Sequence, residues 1–275
     1  LTAIINAVAK YYSPEIHAIQ VTWGYFVAMT VYILIYATAR RMPLRKLYGT
    51  QRIGLHLLRY AVIVTSICSL FIGLTYLPMA DTNAITFASP FIITVMSIPV
   101  LGEKVGLHRW SAVLVGLVGV LIVIKPGGSR HWAVIMPAIS AFAFATFQIV
   151  TRKLSSTEPT LVALFYAGAG SLFWCSLIVA FVWRPLTVEI IEMFFFIGLL
   201  GVVAHFMMIR AAEGAPVSLL APFNYTKLIW ATILGYYFFG HFPGLHVFTG
   251  SVIIVASGLY VLWREQRSRQ AGIPS

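Results

Sequence analysis

Long apolar runs recur along this chain between short polar breaks, and most are long enough to cross a hydrocarbon layer about 30 Å thick. Nine runs fall at 16–39, 53–76, 80–101, 108–125, 132–151, 160–183, 188–210, 215–239 and 243–263. The apolar segment 1–12 is too short to cross and is read as the remaining end of a tenth helix, in a chain whose first residue is Leu1. In lipid a backbone can satisfy its polar groups only as helices or as a closed barrel. A barrel needs alternating segments of about ten residues, and the stretch from Ser111 to Ile124 does not alternate. The expected fold is therefore an all-α polytopic membrane protein with ten transmembrane helices.

Charge supports this and excludes other classes. Only 10% of the residues are Asp, Glu, Lys or Arg, where a soluble domain carries about 25%. The net charge of +11 would raise nucleic-acid binding, but the basic residues sit in short clusters between apolar runs and form no basic face, so no nucleic-acid partner is expected. With the C-terminus placed in the cytoplasm, thirteen Lys and Arg fall inside and four outside, while Arg59 and Lys227 lie within spans. The bias places both termini in the cytoplasm of a bacterial inner-membrane protein. Cys68 and Cys175 lie in apolar runs without neighbouring thiols in the sequence and read as small buried residues.

An internal repeat organises the spans. Residues 78–123 align without a gap on 216–261: Pro78 meets Pro216, Gly102 meets Gly240, and Gly106-Leu107-His108 meets Gly244-Leu245-His246. An odd number of helices per copy forces the second copy to run in the opposite sense, giving inverted repeats about an axis in the membrane plane. The expected units are 1–127, 128–265 and a cytoplasmic tail, 266–275. Inverted halves serve alternating access about a site between them.

The chain resembles the drug/metabolite transporter superfamily, in particular its ten-helix EamA-type members. The resemblance is carried by Ala88-Ser-Pro-Phe91, by Gly102-Glu-Lys104 and by the glycine-rich run from Gly116 to Gly127. The second copy carries Ala221-Pro-Phe223, Gly240 and Gly258-Leu-Tyr260, with His241 and Phe242 where the first copy has Glu103 and Lys104. The resemblance implies an exporter of amino acids or related metabolites, within the bacterial branch that handles aromatic and other neutral amino acids. It also implies a cavity lined by helices 1–4 and 6–9, with helices 5 and 10 as an outer scaffold.

Lys227 is the most informative position, near the centre of the span 215–239 and too deep to snorkel comfortably. Each of the eight acids lies in a loop or at a helix end, so Lys227 has no carboxylate at its depth. Two readings stand: a neutral or carbonyl-bonded packing lysine, or a partner for a substrate carboxylate. Pro90 and Pro222 are candidate hinges, since each removes a backbone donor inside a span. The repeat places Ser89 opposite Lys227, at the depth where broken helices of carriers hold solutes. Asn83, Thr86, Asn224, Tyr225 and Gln148 can face the same cavity, and Trp23, Tyr166, Trp174 and Trp230 can supply flat walls. His205, the one deep histidine in this reading, is either a packing residue or a proton shuttle.

No Walker-type loop occurs, so transport without ATP hydrolysis is expected, and neither cofactor nor metal is implied. An enzyme would need a nucleophile with its base or a metal motif, and neither is present. The expected activity is secondary transport of a small-molecule substrate across the lipid bilayer by a monomer or homodimer. Drugs, purines and sugar derivatives are alternative cargoes, and a monomeric solute channel is the alternative mechanism.

Overall fold

The computed structural model describes residues 1–41, 52–102, 107–124, 132–154, 160–214, 217–240 and 242–270. These form eleven α-helices and no strand. They are α1 (Thr2–Tyr11), α2 (Ala18–Ala39), α3 (Ile53–Tyr76), α4 (Met79–Thr86), α5 (Ser89–Leu101) and α6 (Leu107–Ile124) in the first half. The second half holds α7 (Ile135–Leu154), α8 (Thr160–Val179), α9 (Val188–Gly214), α10 (Val217–Phe239) and α11 (Leu245–Gln270). Six stretches are long and apolar enough to span a membrane, and two shorter apolar helices lie within α6 and α11. Large apolar side chains such as Phe181, Val188, Tyr237 and Phe242 stand exposed on the surface, as befits a protein whose solvent is hydrocarbon.

Each expected span is helical, with two differences. The run 80–101 is two helices, α4 and α5, interrupted at Phe87 and Ala88. The last helix continues to Gln270, so the tail expected at 266–275 begins inside a helix, and 271–275 lie outside the described residues. Arg and Gln are good helix formers once the chain has left the apolar layer. The boundary expected at 127/128, the loop charges Arg45, Lys46, Lys104, Lys125 and Arg130, and the loop residues Glu103 and His241 also lie outside the described residues.

The packing pairs follow the exchange of halves that the repeat requires. Helix α3 packs on α7 as α9 packs on α1, and α2 packs on α9 as α8 packs on α3. Helices α4 and α5 pack on α7 as α10 packs on α1. Three pairs map onto themselves: α2 with α8, α4 with α10, and α6 with α11. Helix α4 additionally touches α11. The backbone repeats in detail as well. Gly102 ends α5 at φ +69° and Gly240 ends α10 at φ +64°, the left-handed cap that glycine adopts without strain. Their N–H groups donate to Ile98 and Tyr236 respectively, positions that the repeat also equates.

Small residues close the contact between α6 and α11. A Cβ at Gly119 would meet the Gly250 carbonyl oxygen at 2.9 Å, and one at Gly250 would meet the Gly119 oxygen at 2.6 Å. The repeat equates Gly119 with Ser257 and Gly250 with Ala112, and both of these small residues are buried too. Close approach of small residues is what drives helix association in lipid. Here it occurs within one chain, so this stripe is spent on the scaffold. One apolar cluster spreads over α1, α2, α3 and α9, and a second gathers α4, α5, α6 and α11.

Candidate functional site

The break between α4 and α5 has a local cause. Proline at 90 cannot donate to the Thr86 carbonyl, so the α-helical ladder stops there. Phe87 N–H donates to Ala84 O at 3.2 Å and Ala88 N–H to Ile85 O at 3.0 Å, tight turns that carry the chain across. Pro90 then occupies the first turn of α5, where a missing N–H costs nothing. Helix α10 packs directly on α4. Leu228, next to Lys227, packs against the cluster that includes Phe87 and Phe91. Lys227 therefore stands on the turn of α10 that lies beside the broken segment.

Asn83 is fully buried: its side-chain oxygen accepts from Asn6 Nδ2 at 3.2 Å and its Nδ2 donates to Met79 O at 2.7 Å. Thr86 Oγ1 donates to Asn83 O at 2.7 Å, and Ser89 is buried at the start of α5. These groups tie α4 to α1 beside the break. Lys227 is half-buried and makes no hydrogen bond or ion pair among the described residues. Pro222 lies within the unbroken helix α10, as do Asn224 and Tyr225, and the side chains of these three lie outside the described residues.

The other expected site residues lie elsewhere. Trp23 donates from its indole to Ser176 Oγ at 3.0 Å and meets Trp183 and Phe194 edge-on, so it is held in packing between α2, α8 and α9. Trp174 donates to Leu57 O at 3.0 Å, and Trp230 is exposed. Tyr166 stacks on His56 at 4.8 Å, near the beginning of α3. His205 is half-buried, with Nδ1 3.0 Å from the Gly201 carbonyl oxygen. Gln148 is half-buried on α7 and makes no hydrogen bond among the described residues.

Sequence reasoning missed four groupings. Arg59, set aside because it falls inside a span, has its guanidinium over the rings of Phe147 at 5.1 Å and Tyr60 at 5.4 Å. It also lies within electrostatic reach of His205. Gln20, wholly buried, clamps the backbone of Arg184 with bonds of 2.7 Å and 2.9 Å, while Arg184 Nη1 donates to the carbonyls of Pro14 and Glu15. The two thiols expected to be isolated are brought together: Cys68 and Cys175 lie within hydrogen-bonding reach where α3 meets α8, with Thr22 beside Cys68. Lys10, counted as a loop charge, donates to Leu74 O and Leu77 O at the end of α3, at 2.6 Å and 2.7 Å. It is a helix cap.

Comparison with known proteins agrees with this architecture. Residues 1–125 match the EamA-like transporter family. A Rickettsia prowazekii protein named "S-adenosylmethionine uptake transporter" is 26% identical, over 98% of this chain and 91% of its own. A Vibrio cholerae protein named "Riboflavin transporter" is 27% identical over the same shares of the two chains. A Pseudomonas aeruginosa protein named "Pseudopaline exporter CntI" is 22% identical over 93% of the chain and 89% of its own. A solved crystal structure superimposes with a TM-score of 0.65 at 16% identity, covering 94% of each chain, which shows a shared fold. These relatives are named as transporters or exporters of small molecules, and the helical fold here is that of a polytopic membrane protein, as expected. Narrower membership of the amino-acid-exporter branch is not what these relatives' names indicate.

Proposed function

We propose that the chain is a secondary carrier that moves a small organic solute by alternating access between halves 1–127 and 128–265. The observation that carries this is the exchange of packing pairs between the halves, with Lys227, unpartnered among the described residues, beside the break in the opposite half. An uncompensated lysine at membrane depth is costly unless something pairs with it or it gives up its proton. A solute carboxylate supplies that partner, and a peptide interruption beside it supplies polar contacts. The charge bias of the loops supports a bacterial inner-membrane protein with both termini in the cytoplasm.

The cargo we favour has a flat ring and a polar, preferably anionic, appendage. S-adenosylmethionine joins an amino-acid carboxylate to a purine, and riboflavin joins a flat ring system to a polyol. None of the named relatives is called an amino-acid exporter, so free amino acids lose the priority that the resemblance gave them. Aromatic amino acids stay in the class as its smallest members.

Proteoliposome counterflow of radiolabelled S-adenosylmethionine, riboflavin and phenylalanine tests the proposal. At least one solute should show saturable uptake that is accelerated by the same unlabelled solute inside. Flux that rises linearly with concentration would favour a pore, and no flux of any of the three would overturn the cargo class.

A further inference from the structure

Arg59 is six residues inside the start of α3, about 9 Å of helix rise. An arginine at that depth normally sends its head to the nearer interface. Here the side chain crosses to α7 instead, where the guanidinium lies over Phe147, and it reaches the electrostatic neighbourhood of His205 on α9. Its Nε is buried without a hydrogen-bond partner. Among the described residues no carboxylate pairs with it.

Ring faces offset only part of the cost of such a charge. They cannot neutralise it, and a charge left without its counter-ion in a low-dielectric interior is strongly unfavourable. The guanidinium also presents N–H donors in a planar fork that matches a carboxylate. Beside it the His56 ring stacks on Tyr166 at 4.8 Å and on Tyr60 at 6.0 Å, a flat aromatic wall reaching from α3 to α8. Four passes thus converge on one cation and a set of rings, of which His56 and Tyr60 are wholly buried.

We propose that Arg59 anchors the carboxylate of a planar aromatic solute, forming a second anion position at the end of the bundle where α3 begins. Its part in transport rests on the carrier reading above, but its binding can be measured alone. Thermal unfolding of the purified full chain in detergent would be followed with benzoate, with benzyl alcohol as the neutral isostere, and with phosphatidylglycerol as a lipid phosphate.

Benzoate should stabilise the protein saturably and benzyl alcohol should not. Half-saturation by benzoate should rise about tenfold in Arg59→Gln. If Arg59→Gln does not insert, Arg59→Lys carries the test. It keeps the charge but loses the fork, so half-saturation should rise about threefold. Equal benzoate binding by wild type and the Arg59 variants overturns the proposal. So does stabilisation by benzyl alcohol, or Arg59-dependent stabilisation by phosphatidylglycerol alone, which would assign the position to lipid. Benzoate binding without transport of any panel solute would remove the cargo class proposed above and leave this position standing; transport without Arg59-dependent binding would do the reverse.

Discussion

The fourth and ninth passes occupy equivalent places in the two halves, and both contain a proline, yet only one is broken. Pro90 falls in the middle of the stretch Met79–Val100, and the chain divides there into α4 and α5. Pro222 is the sixth residue of α10, and the helix runs from Val217 to Phe239 without interruption. A proline close to a helix start disturbs few bonds, whereas one in mid-span removes a bond that turns on both sides depend on. At the depth where the fourth pass has a break, the ninth has Lys227. The inverted halves are therefore alike in their glycine caps and packing partners and unlike at the centre. One contributes interrupted backbone and the other contributes charge.

The largest change to this comparison should come from Pro90→Ala, which permits α4 and α5 to fuse. Solute counterflow should fall about tenfold while the protein remains in the membrane, since broken helices hold the sites of such carriers. Wild-type rates in that variant would show that the interruption is only a bend. Next, Asn83→Ala should destabilise the first half by about 1–3 kcal/mol, because it leaves the buried Asn6 amide without its acceptor. Thermal unfolding in detergent would check this, and an unchanged midpoint would remove Asn83 from the tie between α4 and α1. Loss of the Gln20 clamp in Gln20→Ala should cost a similar or slightly smaller amount, as two backbone groups of Arg184 lose their partner. The smallest effect belongs to Pro222→Ala. Its transport should stay within about twofold of wild type, given that α10 is already continuous. A large effect there would make the two prolines equivalent hinges after all.

Much of this was legible in the sequence, and the limits have a physical origin. Apolar runs and turn residues placed the helices to within a few residues, and the repeat at Gly102 and Gly240 survives as paired left-handed caps. Which face of a helix points inward was far less legible. Helices such as α2, α8 and α10 are apolar all round, so periodicity gives no inner stripe from which to read a rotation. Trp23, read as a cavity wall, is taken up by packing against Trp183 and Phe194. Charges within spans are the exception, because lipid forces them inward. That rule singled out Lys227 and applies equally to Arg59, whose depth in 53–76 was the available signal. Contacts between remote helices, such as Cys68 with Cys175 or Gln20 with Arg184, carry no local pattern and needed the fold.

The claim that the charge on α10 and the break between α4 and α5 form one solute position is tested most directly by Lys227→Ala. Counterflow of the panel solute that wild type transports would be measured in proteoliposomes at matched protein density. Uptake should fall to about a tenth or less, with normal insertion and unfolding temperature, as expected when a buried charge partner is lost. Uptake equal to wild type would contradict the account.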